Sequence, residues 1–368
     1  IKVFDLAGNE KTVTVASGSS YLTSTNPREN FKLVNIADYT FIANTATTVA
    51  ADSTTSAAKV EEFLIVCKLT NYGREYKVAL KHPSMAQELE VIFQLPTGND
   101  ASTDSKFRDT NKITDILLYG TSSTHWDSSA DGIGFKVVRT DNNATQSTTQ
   151  GLANYSGFTS HFTFEAFDSV IYGKPTDGNS NYTITTSDGS GNTAMYAIRD
   201  EIQDFSKLPF YGKTGVILKI TGEEGDTLSD YYVKFSGKSG VWNETIAPAT
   251  SVGLDNSTMP HALINNNNGT FTFQELDWTD RTCGDAETNP NPTFVGKKIN
   301  NVTFYKNRFG ILSGENLVLT ENASFFNYFA TTSTQVLDTD PIDIAASGTQ
   351  VNTLKNSVGF NESLLLFS

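Results

Sequence analysis

The sequence is poor in cysteine and histidine. Its 368 residues include only two cysteines, Cys67 and Cys283, and four histidines. Two cysteines are too few for a disulfide framework, and neither has the CxxC or histidine-paired spacing of a zinc site. We therefore expect two reduced, buried thiols, with Cys67 on a strand, and neither a metal nor another cofactor. Reduced thiols suit assembly in a reducing cytoplasm.

Long apolar runs are also missing. No run approaches the ~20 residues that a transmembrane helix needs, and no charged segment followed by an apolar one marks a secretory leader. The sequence therefore predicts no membrane segment and no signal peptide. With 368 residues and 38% hydrophobic content, the chain is long enough for roughly two or three globular domains.

Positive charge is scarce. The chain has 27 Lys and Arg residues against 41 Asp and Glu residues, which gives a formal net charge of -14. This balance argues against a protein that grips nucleic acid by neutralising its phosphates. It agrees with ordinary solubility, and also with the wall of a conduit that repels DNA in transit.

Signatures of catalysis are missing too. The sequence has no HExxH, GxSxG, GxGxxG or P-loop motif, and its histidines are dispersed. We expect His261, in TMPHAL, to be a packed and hydrogen-bonded residue. A role as general base is the less favoured interpretation of this residue.

Two acidic clusters could supply the carboxylate pair of a glycoside hydrolase. Asp338, Asp340 and Asp343 lie in VLDTDPIDI, where Pro341 fixes a turn, and Asp338 and Asp340 could face one side of an extended segment. The loop GEEGD, residues 222–226, holds the second cluster. Since Asp beside Pro or Gly commonly caps its own backbone, we favour turns or subunit contacts over catalysis, with calcium ligation last.

Alternation of apolar and polar residues is the dominant pattern, and it predicts a mainly β protein. Clusters of Gly, Asn, Asp and Ser separate the apolar runs, as turns do between strands. We assign hairpins or short loops to Gly269, Gly310 and Gly314. The predicted strands are residues 11–15, 32–42, 77–80, 90–95, 162–167, 181–185, 216–220, 231–235, 270–273 and 301–305.

Helical spacing of apolar residues occurs in two places, residues 103–118 and 192–205. Both lie in the middle of the chain. We therefore expect an inserted α+β domain, residues 57–204, within a β-rich body formed by residues 1–56 and 205–368. No WD or kelch period supports a propeller on its own.

Several blocks of the sequence resemble one family, the nozzle proteins (tail tubular protein B) of short-tailed, T7-like bacteriophages. The blocks occur in the order of that family and span nearly the whole chain, with a divergent stretch at residues 81–202. The blocks are IKVFDLAGNEKTV, IADYTFIAN, YYVKFSGKSGVWNETIAP, TMPHAL, and the long segment from Cys283 to Asp343 that includes TNPNPTFVGKKI and FYKNRFGILSGEN.

The resemblance implies a structural virion protein without enzymatic activity. It implies a homo-oligomeric ring of six subunits below the portal and the tail adaptor protein, tail tubular protein A. The ring would extend the channel for double-stranded DNA, retain the genome, take part in its ejection, and contact tail fibres or spikes. The resemblance also implies a β-propeller-like body, of which this chain holds all or some blades. Sequence that precedes residue 1 or follows residue 368 in relatives would lie outside this chain.

The long family block contains the residues that we expect to pack the body and to contact ring neighbours. Pro290 and Pro292 should hold an extended, exposed loop that Phe294 anchors. Arg308, beside Asn307, should make bidentate or backbone-directed hydrogen bonds across a turn or a subunit boundary. The complete set of candidates is His261, Asp285, Pro290, Pro292, Phe294, Gly296, Asn307, Arg308, Gly310, Gly314, Asp338, Asp340, Pro341 and Asp343.

Two other functions stay open at this point. A hydrolase of capsule polysaccharide or peptidoglycan would lose activity, and not its fold, on replacement of Asp338 or Asp340 by Asn. An adhesin would bind the host surface in isolation, through the inserted domain.

Overall fold

The polypeptide divides into two compact units. The computed structural model describes residues 1–222, 229–346 and 352–368. Unit 1 comprises Ile1–Ala58, Thr227–Tyr231 and Thr245–Ser368, and unit 2 comprises Lys59–Asp226 and Tyr232–Glu244. Strands predominate over helices in both units, which confirms the prediction of a mainly β protein.

The strands follow the alternating apolar pattern of the sequence. In residues 1–58 they are β1 (Val3–Phe4), β2 (Glu10–Lys11), β3 (Val13–Val15), β4 (Phe31–Ile36) and β5 (Tyr39–Asn44). The middle of the chain contains β6 (Phe63–Cys67), β7 (Glu75–Lys81), β8 (Leu89–Gln94), β9 (Gly134–Arg139), β10 (Thr145–Ser147), β11 (Phe162–Phe167), β12 (Val170–Pro175), β13 (Thr183–Ser187), β14 (Met195–Arg199), β15 (Glu201–Ile202), β16 (Ile217–Ile220), β17 (Tyr231–Ser236) and β18 (Val241–Thr245).

The last third of the chain contributes more strands to unit 1. They are β19 (His261–Asn265), β20 (Phe271–Gln274), β21 (Asn301–Tyr305), β22 (Arg308–Ser313), β23 (Asn316–Leu319), β24 (Ile342–Ala345), β25 (Asn356–Phe360) and β26 (Ser363–Phe367). The helices are short: α1 (Pro27–Asn30), α2 (Ala101–Asp104), α3 (Thr110–Tyr119) and α4 (Ser156–Thr159).

Unit 1 is built around a five-stranded sheet, in the order β3-β20-β19-β5-β4, and a four-stranded sheet, β21-β22-β23-β24. All pairs are antiparallel except β3 with β20. One shared core contains residues of both sheets, with the Phe41 and Phe309 rings stacked at 4.5 Å between centroids. The hairpin β25-β26 packs Leu364 and Leu366 against a smaller cluster of leucines.

Unit 2 also contains two sheets. Their strand orders are β10-β9-β8-β7-β13 and β11-β12-β6-β14-β15-β16-β17-β18. The longest helix, α3, buries Ile113, Ile116 and Leu117 in the same core as residues from both sheets. Cys67 is buried on the central strand β6, and Cys283 is buried in unit 1, so both are buried thiols outside a disulfide, as predicted.

The two predicted helices have different outcomes. Residues 103–118 are helical, with a break at Asp109, whose carboxylate accepts from the Asn111 amide at 3.0 Å and starts α3. The prediction of a helix at residues 192–205 is wrong, because this stretch forms β14 and β15. Asp188 explains the difference: its carboxylate accepts hydrogen bonds from the amides of Ser190, Asn192, Ala194 and Met195 and fixes a turn that leads into a strand.

The prediction of a reversal at Gly310 is also wrong. Gly310 lies inside β22, while Gly269 and Gly314 occupy turns with φ of 84° and 57°. A Cβ atom at position 310 would lie 2.6 Å from Cγ2 of Thr303 and 2.7 Å from Cδ2 of Leu319. Close packing between neighbouring strands, rather than a turn, therefore requires this glycine.

In the described ranges, none of the sheets closes on itself. The propeller-like arrangement implied by the resemblance therefore stays a prediction. None of the helices in these ranges has the length and apolar character needed to cross a bilayer.

We expect Gly310→Ala to lower the free energy of unfolding by about 1 to 3 kcal/mol, because the new methyl group overpacks β22 against its two neighbours. Gly359→Ala, on β25, is the matched control, since the nearest atom to its new Cβ is 3.7 Å away. Denaturation in urea measures both variants. Equal stability of the two proteins would contradict the close packing.

Candidate functional site

The long family block folds into the four-stranded sheet of unit 1 and the loops that precede and interrupt it. Lys306 and Asn307, with φ of 44° and 60°, form a two-residue turn between β21 and β22. Positive φ at both positions is the type I′ geometry that fits the twist of a hairpin. The turn places Arg308 at the start of β22, where its side chain is buried.

Arg308 holds both ends of the long loop that joins β23 to β24, residues 320–341. Its guanidinium donates to the carbonyl oxygen of Thr320 at 2.7 Å, where the loop begins. At the other end it donates to the carbonyl oxygens of Asp338 at 2.9 Å and Asp340 at 2.6 Å. The planar fork of five donors suits such a multiple contact, which a lysine could not reproduce. The backbone-directed bonds predicted for Arg308 are therefore present within the chain.

In the acidic cluster near this arginine, Asp338 and Asp340 lie in a turn and Asp343 lies on β24. Residues 337–340 close a turn instead of an extended segment, with the Asp340 amide donating to the Leu337 carbonyl at 3.0 Å. The Asp340 carboxylate accepts from the Leu337 amide at 2.7 Å, and Asp338 is exposed. Asp343 accepts from the amide and hydroxyl of Thr293 at 2.8 and 2.7 Å. The second acidic cluster, Glu223, Glu224 and Asp226, lies outside the described residues.

The proline-containing loop is pinned by side-chain hydrogen bonds. Asp285 caps the turn that follows it, and accepts from the Glu287 and Thr288 amides at 2.9 Å. The side chain of Asn289 donates to the carbonyls of Cys283 and Ala330 at 3.1 and 3.0 Å. It also accepts from the Ala330 amide at 3.1 Å, so it joins this loop to the loop of residues 320–341.

Within this loop the two prolines differ in their exposure. Pro290 is exposed, as predicted, whereas Pro292 is buried. Phe294 is fully buried and meets the Tyr328 ring edge-on at 5.0 Å. Gly296, with a φ of 82°, ends the turn and donates to the Val49 carbonyl at 2.8 Å. The anchoring role predicted for Phe294 agrees with this position.

A second buried arginine was not predicted. Arg281 donates to the Ser251 carbonyl at 3.0 Å and to the Asn291 side chain at 2.7 Å, and its guanidinium lies 4.9 Å from the centre of the Phe329 ring. Burial lowers the pKa of Arg281 from its usual value. The local sequence, TDRTCG, is polar and contains no signal for burial. Asn289 was missed for the same reason.

His261 is a packed residue of the five-stranded sheet, as predicted. Its ring is 1% exposed, stacks on Tyr21 at 4.1 Å, and forms a hydrogen bond from Nδ1 to the Met259 carbonyl at 2.9 Å. Gly18 approaches so closely that a Cβ there would lie 2.3 Å from the imidazole. Burial lowers the pKa of His261. An enclosed imidazole of this kind cannot reach a substrate.

Unit 2 brings together two histidines that are far apart in the sequence. His82 and His161 stack at 5.2 Å beside a cleft of about 270 Å³. The Ser84 amide donates to Nδ1 of His82 at 3.2 Å, so Nε2 carries the proton and donates to Asp177 at 3.1 Å. Burial and His82 lower the pKa of His161. In the described part of the chain, no group of three side chains is arranged to hold a metal ion.

We expect Arg308→Lys to lower the free energy of unfolding by about 2 to 4 kcal/mol, because buried carbonyl oxygens lose their donors. Asp338→Asn should change it by less than about 0.5 kcal/mol, because the Asp338 carbonyl, and not its carboxylate, accepts the bond. Urea denaturation compares the two variants. A loss in Asp338→Asn as large as that in Arg308→Lys would show that charge pairing holds the loop.

We also expect a pH dependence from His261. Burial holds its folded pKa below the ordinary histidine value of 6.5, so the unfolded chain binds the proton first as the pH falls. The stability from the neutral ring is complete above about pH 6.5 and declines as the pH falls toward the folded pKa. His261→Phe should flatten the slope of unfolding free energy against pH in this window. The control is His125→Phe, and an equal flattening there would contradict the assignment.

Comparison with known proteins gives the family of this chain. The family model described as "Bacteriophage nozzle protein" matches residues 1–368. The chain is also 32% identical over 378 aligned residues to "Tail tubular protein gp12" of Escherichia phage T7. This alignment covers 100% of the chain and 42% of the relative, so the chain spans less than half of the relative's length. The chain belongs to the bacteriophage nozzle protein family.

Proposed function

We propose that this chain acts as a structural component of a phage tail, in a nozzle that extends the DNA channel. The observation that carries the proposal is the match to the nozzle family over residues 1–368. The T7 relative is named a tail tubular protein, which supports a place in a tubular part of the tail.

The architecture of unit 1 supports a mechanical role. Buried side chains of Arg308 and Asn289 bond to backbone groups of the loops in the family block, so these loops have fixed positions. Arg281 joins the Asn291 side chain of the block to the Ser251 carbonyl. The wall of a DNA channel must keep its shape while DNA passes, and loops in fixed positions meet this need without reactive groups. The net charge of -14 would disfavour attachment of the phosphate backbone.

The finer features are part of the proposal. Six copies would form a ring below the tail adaptor protein, contact fibres or spikes, and pass double-stranded DNA without reading its sequence. A body of residues 1–56 and 205–368, with propeller-like character, would carry an inserted domain of residues 57–204. Opening would move loops or domains between two arrangements of similar free energy.

Ring closure requires two different faces on each subunit, because a ring of more than two identical subunits joins head to tail. The residues of the long family block are our candidates for packing beside these faces. Nothing in this scheme requires bond chemistry, and the packed His261 and the turn-forming Asp340 fit a non-enzymatic role.

We expect the intact protein to form a ring with a central channel, alone or on the purified adaptor ring. Light scattering would give the mass and electron microscopy the shape. A monomer that joins neither adaptor nor portal would contradict the proposal. Release of sugars from capsule or peptidoglycan, abolished by Asp338→Asn, would favour the hydrolase instead.

A further inference from the structure

Unit 2 presents three large aromatic side chains on one exposed loop. We call residues 204–213, between β15 and β16, the aromatic loop. Phe205 is 48% exposed, Phe210 84% and Tyr211 51%. Single exposed apolar residues are ordinary on a protein surface, but a group of large aromatic residues is typical of an interface.

The backbone of the aromatic loop is held by contacts with the rest of unit 2. Leu208 is buried, the Tyr196 hydroxyl donates to the Lys207 carbonyl at 2.6 Å, and the Trp242 indole donates to the Pro209 carbonyl at 2.8 Å. Lys213 forms an ion pair with Glu165 at the end of the loop. Rings on a fixed backbone lose little conformational entropy on binding, which is the property of an anchor residue in an interface.

Unit 1 has an apolar groove on the outer face of its five-stranded sheet. The inner face of this sheet, with Phe41 and Ala262, packs on the core. Antiparallel sheets usually turn polar residues to the solvent on the other face. Here that face is apolar, and Leu33 is 59% exposed. The groove has a volume of about 550 Å³ and is lined by Ile1, Leu22, Pro27, Arg28, Phe31, Leu33, Thr40, Ile42 and Leu263.

The groove and the aromatic loop are complementary in size and charge. A volume of about 550 Å³ lies within the range of pockets that enclose a ligand of several rings, roughly 300–1,000 Å³. Exposed Arg28 lines the groove and exposed Glu29 follows it in α1, while exposed Asp204 and Lys207 flank Phe205 in the loop. Arg28 and Glu29 therefore each have an opposite charge in the loop, while Lys213 pairs with Glu165 of its own chain.

We propose that the aromatic loop of one copy of this chain inserts into the apolar groove of the next copy. This inference rests on the proposed ring, which needs two different, complementary faces on every subunit. The loop supplies the convex face and the groove the concave one. Arg28 would pair with Asp204, and Glu29 with Lys207, and these pairs would set the direction of the contact.

Because both native thiols are buried, introduced cysteines can test the contact by cross-linking. Cys67 and Cys283 are 1% and 2% exposed, so they do not compete with introduced cysteines. We would place Leu33→Cys and Phe210→Cys together in the intact protein and oxidise the assembled ring. The expected result is a ladder of covalent oligomers that a reductant reverses. Its yield should exceed that of either single variant by at least about tenfold.

The controls separate other arrangements. Phe210→Cys combined with Val336→Cys, at a position 94% exposed, is the matched pair and should give no ladder. Dimers from Phe210→Cys alone would show a loop-to-loop contact and overturn the proposal. A link within one chain, or the absence of links in a ring seen by electron microscopy, would overturn it as well. In the last case the ring, and with it the proposed function, would stand.

A charge exchange tests the pairing without a cross-link. Arg28→Asp and Asp204→Arg should each reduce the ring fraction measured by light scattering, by about fivefold or more. The double variant should recover most of it. Equal losses in the single and the double variants would overturn the pairing of these two residues.

Discussion

The buried guanidinium of Arg308 is the contact on which the family block depends. The loop of residues 320–341 joins two neighbouring strands and is far longer than such a connection needs. Carbonyl oxygens at both ends of the loop accept hydrogen bonds from the Arg308 side chain, which therefore holds the two ends together. Long loops in compact domains are usually either functional or disordered, and this contact makes the loop an ordered part of unit 1. Tyr328 and Phe329 in its interior then enter the core of unit 1.

Much of the fold could be predicted from the sequence, because strands leave a period-two pattern in local sequence. The strands at residues 90–95, 162–167 and 301–305 appear close to their predicted positions. The error at residues 192–205 has a physical cause. Apolar residues at helical spacing also fit a buried strand. The Asp188 carboxylate selects the turn through amides up to seven residues further along the chain, which the apolar pattern does not reveal. The prediction of a turn at Gly310 was wrong for a similar reason, because a glycine in a strand cannot be told from a glycine in a turn by its neighbours in sequence.

The local sequence pattern could predict the position of some site residues but not of others. Phe294 and His261 could be assigned to packed positions, because both lie among apolar neighbours in family motifs. Arg281 and Asn289 could not, since polar residues in a polar segment are ordinarily exposed. Their partners, such as the Ser251 and Ala330 carbonyls, are distant in sequence. The aromatic loop had a weak local signal in PFYGK, where rings stand beside Pro and Gly, but exposure is visible only once the fold is known.

The parallel pairing of β3 with β20 has a consequence for biosynthesis. Val13 and Thr14 find their partners, Phe271 and Thr272, only after the ribosome has translated all the residues between them. Unit 2 is formed by Lys59–Asp226 and Tyr232–Glu244, so its strands can pair before Thr245–Ser368 of unit 1 is made. During that time residues 1–58 lack the later strands of unit 1, so the apolar faces of β4 and β5 stay exposed. Nascent chains in this state expose sheet edges to one another, so synthesis is the stage at which chaperones would protect the protein most.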